Sequence, residues 1–202
     1  MIIACHGAFD TKRDRECAFS RQCDAIRAAK FSTHDVVELD VDDIIVMVET
    51  KSETPAPGTV EVTFVEMMAE PNTEIGYSNG CDNLWTQYLQ KLSQAKDANL
   101  TSLQTHWIFD DFVWKGLRQI VDRADIPMPS TVHSCLCFYR TKLTGVIPPY
   151  HSLIQIPDGP HRDFAETGDA FQEVAIDADH GNLPGDPTLM KMTLNRLKEI
   201  YA

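Results

Sequence analysis

The first thirty residues constrain the fold most. Ile2, Ile3 and Ala4 form a short apolar run that stops at Cys5-His6-Gly7, and Phe19, Cys23 and Ile26 then recur at helical spacing across 13–30. An apolar run of strand length passing into a 3.6-residue period predicts strand followed by helix, the opening of an α/β domain. The chain has 202 residues and is 43% hydrophobic, enough to bury one substantial core, so we expect a single α/β domain over 1–202.

Further along, Val37, Leu39 and Val41 alternate with acidic residues before the apolar run 44–48, and Val60, Val62 and Phe64 alternate with Glu61 and Thr63. With Pro55, Pro57 and Gly58 between them, these segments predict two long strands joined as a β-hairpin. Pro71, Asn72, Gly76, Asn79 and Gly80 mark a loop, and helical periodicity predicts helices around 84–92 and 108–124, the second capped by Thr105 and ended by Pro127 and Pro129. Strands are expected at 130–138, 153–156 and 174–176, with a surface loop at 157–169. Asp186 followed by Pro187 predicts the start of a last helix, with Leu189, Thr193, Leu197 and Ile200 as its buried stripe. The expected architecture is a three-layer α/β sandwich with a mixed, largely parallel sheet, helices on both faces and the long hairpin projecting.

Charge and cysteine content narrow the function classes. With 18 Lys plus Arg against 30 Asp plus Glu, the formal charge of -12 repels phosphate backbones and anionic lipid, so neither a nucleic acid nor a membrane is expected as partner. No apolar stretch reaches the roughly 18 residues of a spanning helix, and the amino terminus has no basic leader or secretory apolar region. The six cysteines lack dense regular spacing. Reduced thiols and a cytoplasmic location are the expectation.

Two segments carry residues suited to nucleophilic chemistry. A thiol nucleophile needs a base to hold it as thiolate and donors for the oxyanion. Residues 1–7 place His6-Gly7 after one apolar strand, and residues 130–135 place Cys135 at the end of another. The carboxyl ends of parallel strands share one edge of an open α/β sheet, so His6 and Cys135 converge if their strands are neighbours.

A hydrophobic strand ending in His-Gly, and a later one ending in a small residue plus Cys, resemble the two signature blocks of the caspase-like cysteine peptidases, the group of caspases, gingipains and clostripain. The resemblance implies a cysteine-dependent peptidase or related acyl-transfer hydrolase acting on a protein or peptide substrate. It makes His6 the general base, Cys135 the nucleophile, and the backbone N–H groups of Gly7 and Cys135 the oxyanion hole. Gly7 suits that role because a residue without Cβ lets a carbonyl oxygen approach closely. The hairpin and one helix are then insertions between the blocks. The amino-terminal His-Gly strand also resembles that of bacterial Stv adhesin domains, from which no activity is inferred.

Other readings of the same residues stand beside this one. Cys135 and Cys137 alternate with Ser134 and Leu136, as core thiols do, and His6 alone suits a strand-end hydrogen bond. His180-Gly181 is a second candidate base, and His133 is placed to tune the Cys135 thiol. The cluster His133, Cys135 and Cys137 lacks the turn spacing of structural zinc sites, and Asp110-Asp111 and Asp40, Asp42 and Asp43 read as solvated faces. No phosphate-binding or dinucleotide loop is present. No metal and no cofactor are expected. The rival function is a non-enzymatic interaction module of the same fold, docking through an acidic surface and the hairpin.

Overall fold

The computed structural model describes residues 1–7, 12–31, 36–40, 42–48, 50, 54–63, 72–78, 80, 105–110, 132–140 and 171–202. Its elements are β1 (Ile2–Cys5), α1 (Ala18–Ala29), β2 (Val36–Leu39), β3 (Ile44–Val48), β4 (Thr59–Thr63), β5 (Asn72–Tyr77), β6 (Thr105–Asp110), β7 (Val132–Arg140), β8 (Phe171–Ile176), a 3₁₀ turn (His180–Gly185) and α2 (Pro187–Ile200). Six strands form one sheet in the order β2-β1-β5-β6-β7-β8, with every pairing parallel. The protein is therefore α/β with a parallel sheet.

The order follows from the burial of β1. All four of its residues are buried, as a strand covered on both faces requires, so it sits inside the sheet between β2 and β5. Ile2 and Ala4 of β1, Ile75 and Tyr77 of β5, Leu136 and Phe138 of β7 and Ile176 of β8 meet Phe19, Cys23 and Ile26 of α1 and Leu189 and Leu197 of α2 in one apolar cluster. Both described helices thus cover the same face. Burying each large aliphatic or aromatic side chain contributes about 1.5–3 kcal/mol.

Local chemistry sets the helix ends. The Cys17 sulfur accepts from the Ser20 N–H at 3.3 Å, and Lys30, left-handed at φ 53°, donates its N–H to the Arg27 carbonyl. Asp186 accepts from the N–H groups of Thr188 and Leu189, with Pro187 in the first turn, as its sequence predicts. At the far end of α2, the Tyr201 hydroxyl donates to the Met1 carbonyl at 2.7 Å and lies 3.2 Å from Thr73 Oγ1, tying the last turn to the amino ends of β1 and β5.

Several expectations are corrected. Within the expected loop, Asn72–Tyr77 form the central strand β5: their Asn, Thr, Glu and Gly suggest a turn, but neighbours on both sides of the sheet satisfy the backbone. Thr105 begins a strand, not a helix. The unbroken apolar stretch Trp107-Ile108-Phe109 fits both, and pairing with β5 and β7 decides it. β3 and β4 do not form the expected hairpin. β3 pairs with β4 in parallel register, Ile44 opposite Thr59 through Val48 opposite Thr63, because alternation marks a strand without giving its direction. The long strand expected over 37–48 is split, with Val36–Leu39 in the main sheet and Ile44–Val48 in the second. The sheet is parallel throughout its described pairings instead of mixed. The helix expected at 84–92, the strand at 153–156 and the loop at 157–169 lie outside the described residues. No helix among the described residues is long and apolar enough to cross a membrane.

The Asp186 cap gives a direct check on α2. Asp186→Ala leaves two N–H groups without their acceptor and is expected to lower stability by about 1 kcal/mol, read as a lower urea midpoint with an unchanged slope.

Candidate functional site

In this sheet the chain goes from β1 outward to β2, then returns across β1 to β5 and proceeds the other way through β6, β7 and β8. The order therefore reverses between β1 and β5, and the carboxyl ends at such a reversal are where open α/β sheets place reactive groups. His6-Gly7 stands at one end and Ser78 at the other.

The two strand ends are pressed together. A Cβ at Gly80 would lie 2.2 Å from the Cys5 carbonyl oxygen and 2.5 Å from that of His6, and a Cβ at Gly7 would lie 3.1 Å from both Ser78 Cβ and Tyr77 Cδ1. Ser78 adopts the left-handed conformation at φ 52°, the turn that brings Gly80 back over β1. Gly80 is thus required by its close approach to the β1 backbone, and a side chain at position 7 would press on Tyr77 and Ser78.

His6 continues the β1 alternation toward α1. Its N–H donates to the Leu39 carbonyl at 2.9 Å, and its ring meets Phe19 edge-on, with centroids 4.9 Å apart. Phe19 in turn stacks on Tyr77. His6 is fully buried, with Nε2 donating to Glu38 Oε2 at 2.8 Å and Nδ1 having no hydrogen-bond partner among the described residues. The other Glu38 oxygen accepts from Arg15 at 2.9 Å and from Arg27, and Asp24 pairs with both arginines. Burial pushes the Glu38 carboxyl upward, but the hydrogen bonds from His6, Arg15 and Arg27 outweigh it and hold the pKa down at about 2, against an ordinary 4.5.

Cys23 of α1 completes the cluster. A ring nitrogen of His6, the Cys23 sulfur and a Glu38 oxygen all lie within 4.8 Å of one another. Burial, reinforced by the Glu38 charge and opposed by Arg27 and Arg15, raises the Cys23 thiol well above its ordinary 9.0. With no cation bound, the thiol is protonated at neutral pH.

No family model, curated protein or solved structure matches the chain. Its own geometry has to carry the functional argument.

That geometry does not bring His6 and Cys135 together. β5 and β6 stand between β1 and β7, so the two backbones are about 14 Å apart across the sheet. Register adds to this: Cys135 lies level with Trp107, Glu74 and Ile3, three residues short of His6, or about 10 Å along the strands. Leu136 and Phe138 face α1, so alternation turns Cys135 and Cys137 to the opposite face. Both thiols are fully buried. Cys135 is inside its strand, not at the end that the sequence suggests, because β7 runs on to Arg140. His180 opens the turn after β8, whereas Cys135 pairs with Phe171 at the start of that strand, so this second base is also remote. His133 lies within β7, two residues before Cys135.

Of the acidic groups, Asp40 and Asp43 close the turn after β2. Asp40 accepts from the Lys12 N–H at 2.6 Å, and Asp43 pairs with the Lys12 ammonium and accepts from the Asp40 N–H. Asp110 ends β6, and Asp111 lies outside the described residues. Sequence reasoning missed Glu38 as the partner of His6, and Cys23, Arg15 and Arg27 as the groups around that pair. Glu38 had one available signal, an acid inside an apolar strand pattern.

The Glu38 network predicts a specific acid response. A pKa held below its unfolded value gives stabilisation that is complete above about pH 4.5 and lost as pH falls through about 2. At 1.36 kcal/mol per pH unit, the drop from 4.5 to about 2 corresponds to about 3 kcal/mol. Glu38→Gln should cost about that much at pH 7, and the gap from wild type should shrink steadily between pH 4.5 and 2, measured by denaturant titration at each pH.

Proposed function

We propose that this chain is a non-enzymatic interaction domain, a parallel α/β scaffold in which His6 and the buried thiols have structural rather than catalytic roles. The observation that carries this reading is the interposition of β5 and β6 between His6 and Cys135, with the two groups on opposite faces. His6 is committed to Glu38 and Phe19 under α1, and the Cys23 thiol beside it is held protonated. The net charge of -12 favours a basic or neutral partner. The partner is a protein in this reading.

The cysteine-hydrolase reading, with its three-layer caspase-like sandwich and peptide substrate, requires a thiolate in contact with His6. Thiol chemistry separates the two readings. Iodoacetamide labelling followed by mass spectrometry across pH should find Cys135 and Cys137 equally slow in the native protein and reactive only after unfolding. Selective labelling of Cys135 well below the free-thiol pKa of about 8.5 would sink the interaction reading and restore the hydrolase.

A further inference from the structure

We propose that His6, Cys23 and Glu38 form a binding site for a single thiophilic divalent cation of the zinc class. The three donors come from β1's end, α1 and β2, so no motif spacing in the sequence announces them. Their ligand atoms already lie within 4.8 Å of one another, whereas ligands about 2.0–2.3 Å from a tetrahedral zinc stand roughly 3.3–3.6 Å apart. Two small adjustments close the site. The 2.8 Å contact between His6 Nε2 and Glu38 Oε2 opens by about half an ångström, and the Cys23 sulfur moves inward.

The chemistry of the set selects the ion. Imidazole with thiolate suits zinc and its neighbours, while magnesium and calcium need oxygen cages that one carboxylate does not supply. Three protein ligands leave a fourth position for water or an external ligand. His6 and Cys23 are fully buried, and the Glu38 side chain is 5% exposed, so the donors are shielded from competing water.

The proton balance is simple. Binding releases the Cys23 thiol proton to solvent, and with Nε2 on the cation the His6 ring carries its N–H at Nδ1, an atom that no described residue engages. Arg15 and Arg27 act in two directions. They keep Glu38 ionised and ready to ligate, and their charge costs affinity, which the thiolate formed at Cys23 offsets.

Cobalt(II), a spectroscopic stand-in for zinc, tests this on the full chain under reducing conditions. One equivalent should give a thiolate-to-cobalt charge-transfer band that added zinc abolishes, with a zinc-dependent rise in melting temperature. Cys23→Ser should remove the band, and the double variant Cys135→Ser, Cys137→Ser should retain it. His6→Gln, checked for native circular dichroism, should weaken cobalt binding at least tenfold. Absence of a band at stoichiometric cobalt, a band that survives Cys23→Ser, or one lost in the Cys135, Cys137 double variant would each overturn the site.

Discussion

The Glu38 carboxylate is the interaction on which the described half of the fold turns. It is a nearly buried charge that accepts from His6 at the end of β1 and from Arg15 and Arg27 on and before α1, so a single group couples two strands and the helix that covers them. An isolated buried carboxylate is strongly unfavourable, and removing one partner of such a group leaves a charge without compensation. The register of β2 on β1 and the docking of α1 are therefore set together. Shifting β2 by one residue would turn Glu38 to the other face and leave His6 and both guanidiniums without their common acceptor.

The same network explains what the site is and is not. A histidine aligned by a carboxylate is the half of a catalytic triad that orients the base. Here the aligned ring lies beneath Phe19, with a protonated thiol beside it, and the thiol anticipated as its nucleophile belongs to another part of the sheet. Proximity to the strand reversal is a positional property. Chemistry also needs a reacting group on the same face at the same level.

How much was legible in the sequence depended on whether local signals acted alone. β1, α1 and α2 could be read because an apolar run, a 3.6-residue period and an Asp-Pro start are decided within a few residues. β5 and β6 could not. Their identity rests on hydrogen bonds to strands distant in sequence, which overrode the turn-like Asn72, Thr73 and Gly76 and the helix-compatible run from Trp107. The candidate site was half legible. His6 and Gly7 stood out as a strand end, but pairing His6 with Cys135 required neighbouring strands, and strand order is a property that no short segment encodes. Glu38 and Cys23, the true neighbours of His6, looked like ordinary members of an alternating strand and a helical apolar face.

The bond from the Tyr201 hydroxyl to the Met1 carbonyl bears on how the molecule is made. β1 takes an interior place in the sheet, but one of its sheet neighbours is β5, distant in sequence, and its amino end is fastened by Tyr201 at the end of α2. Contacts so distant in sequence carry a large loop-closure entropy and slow folding. Until β2 and β5 pair with it, β1 has an apolar surface and unpaired backbone edges. A partly folded chain that lacks those contacts keeps the edges of β1 open to pairing with other chains, the exposure that makes folding intermediates aggregation-prone.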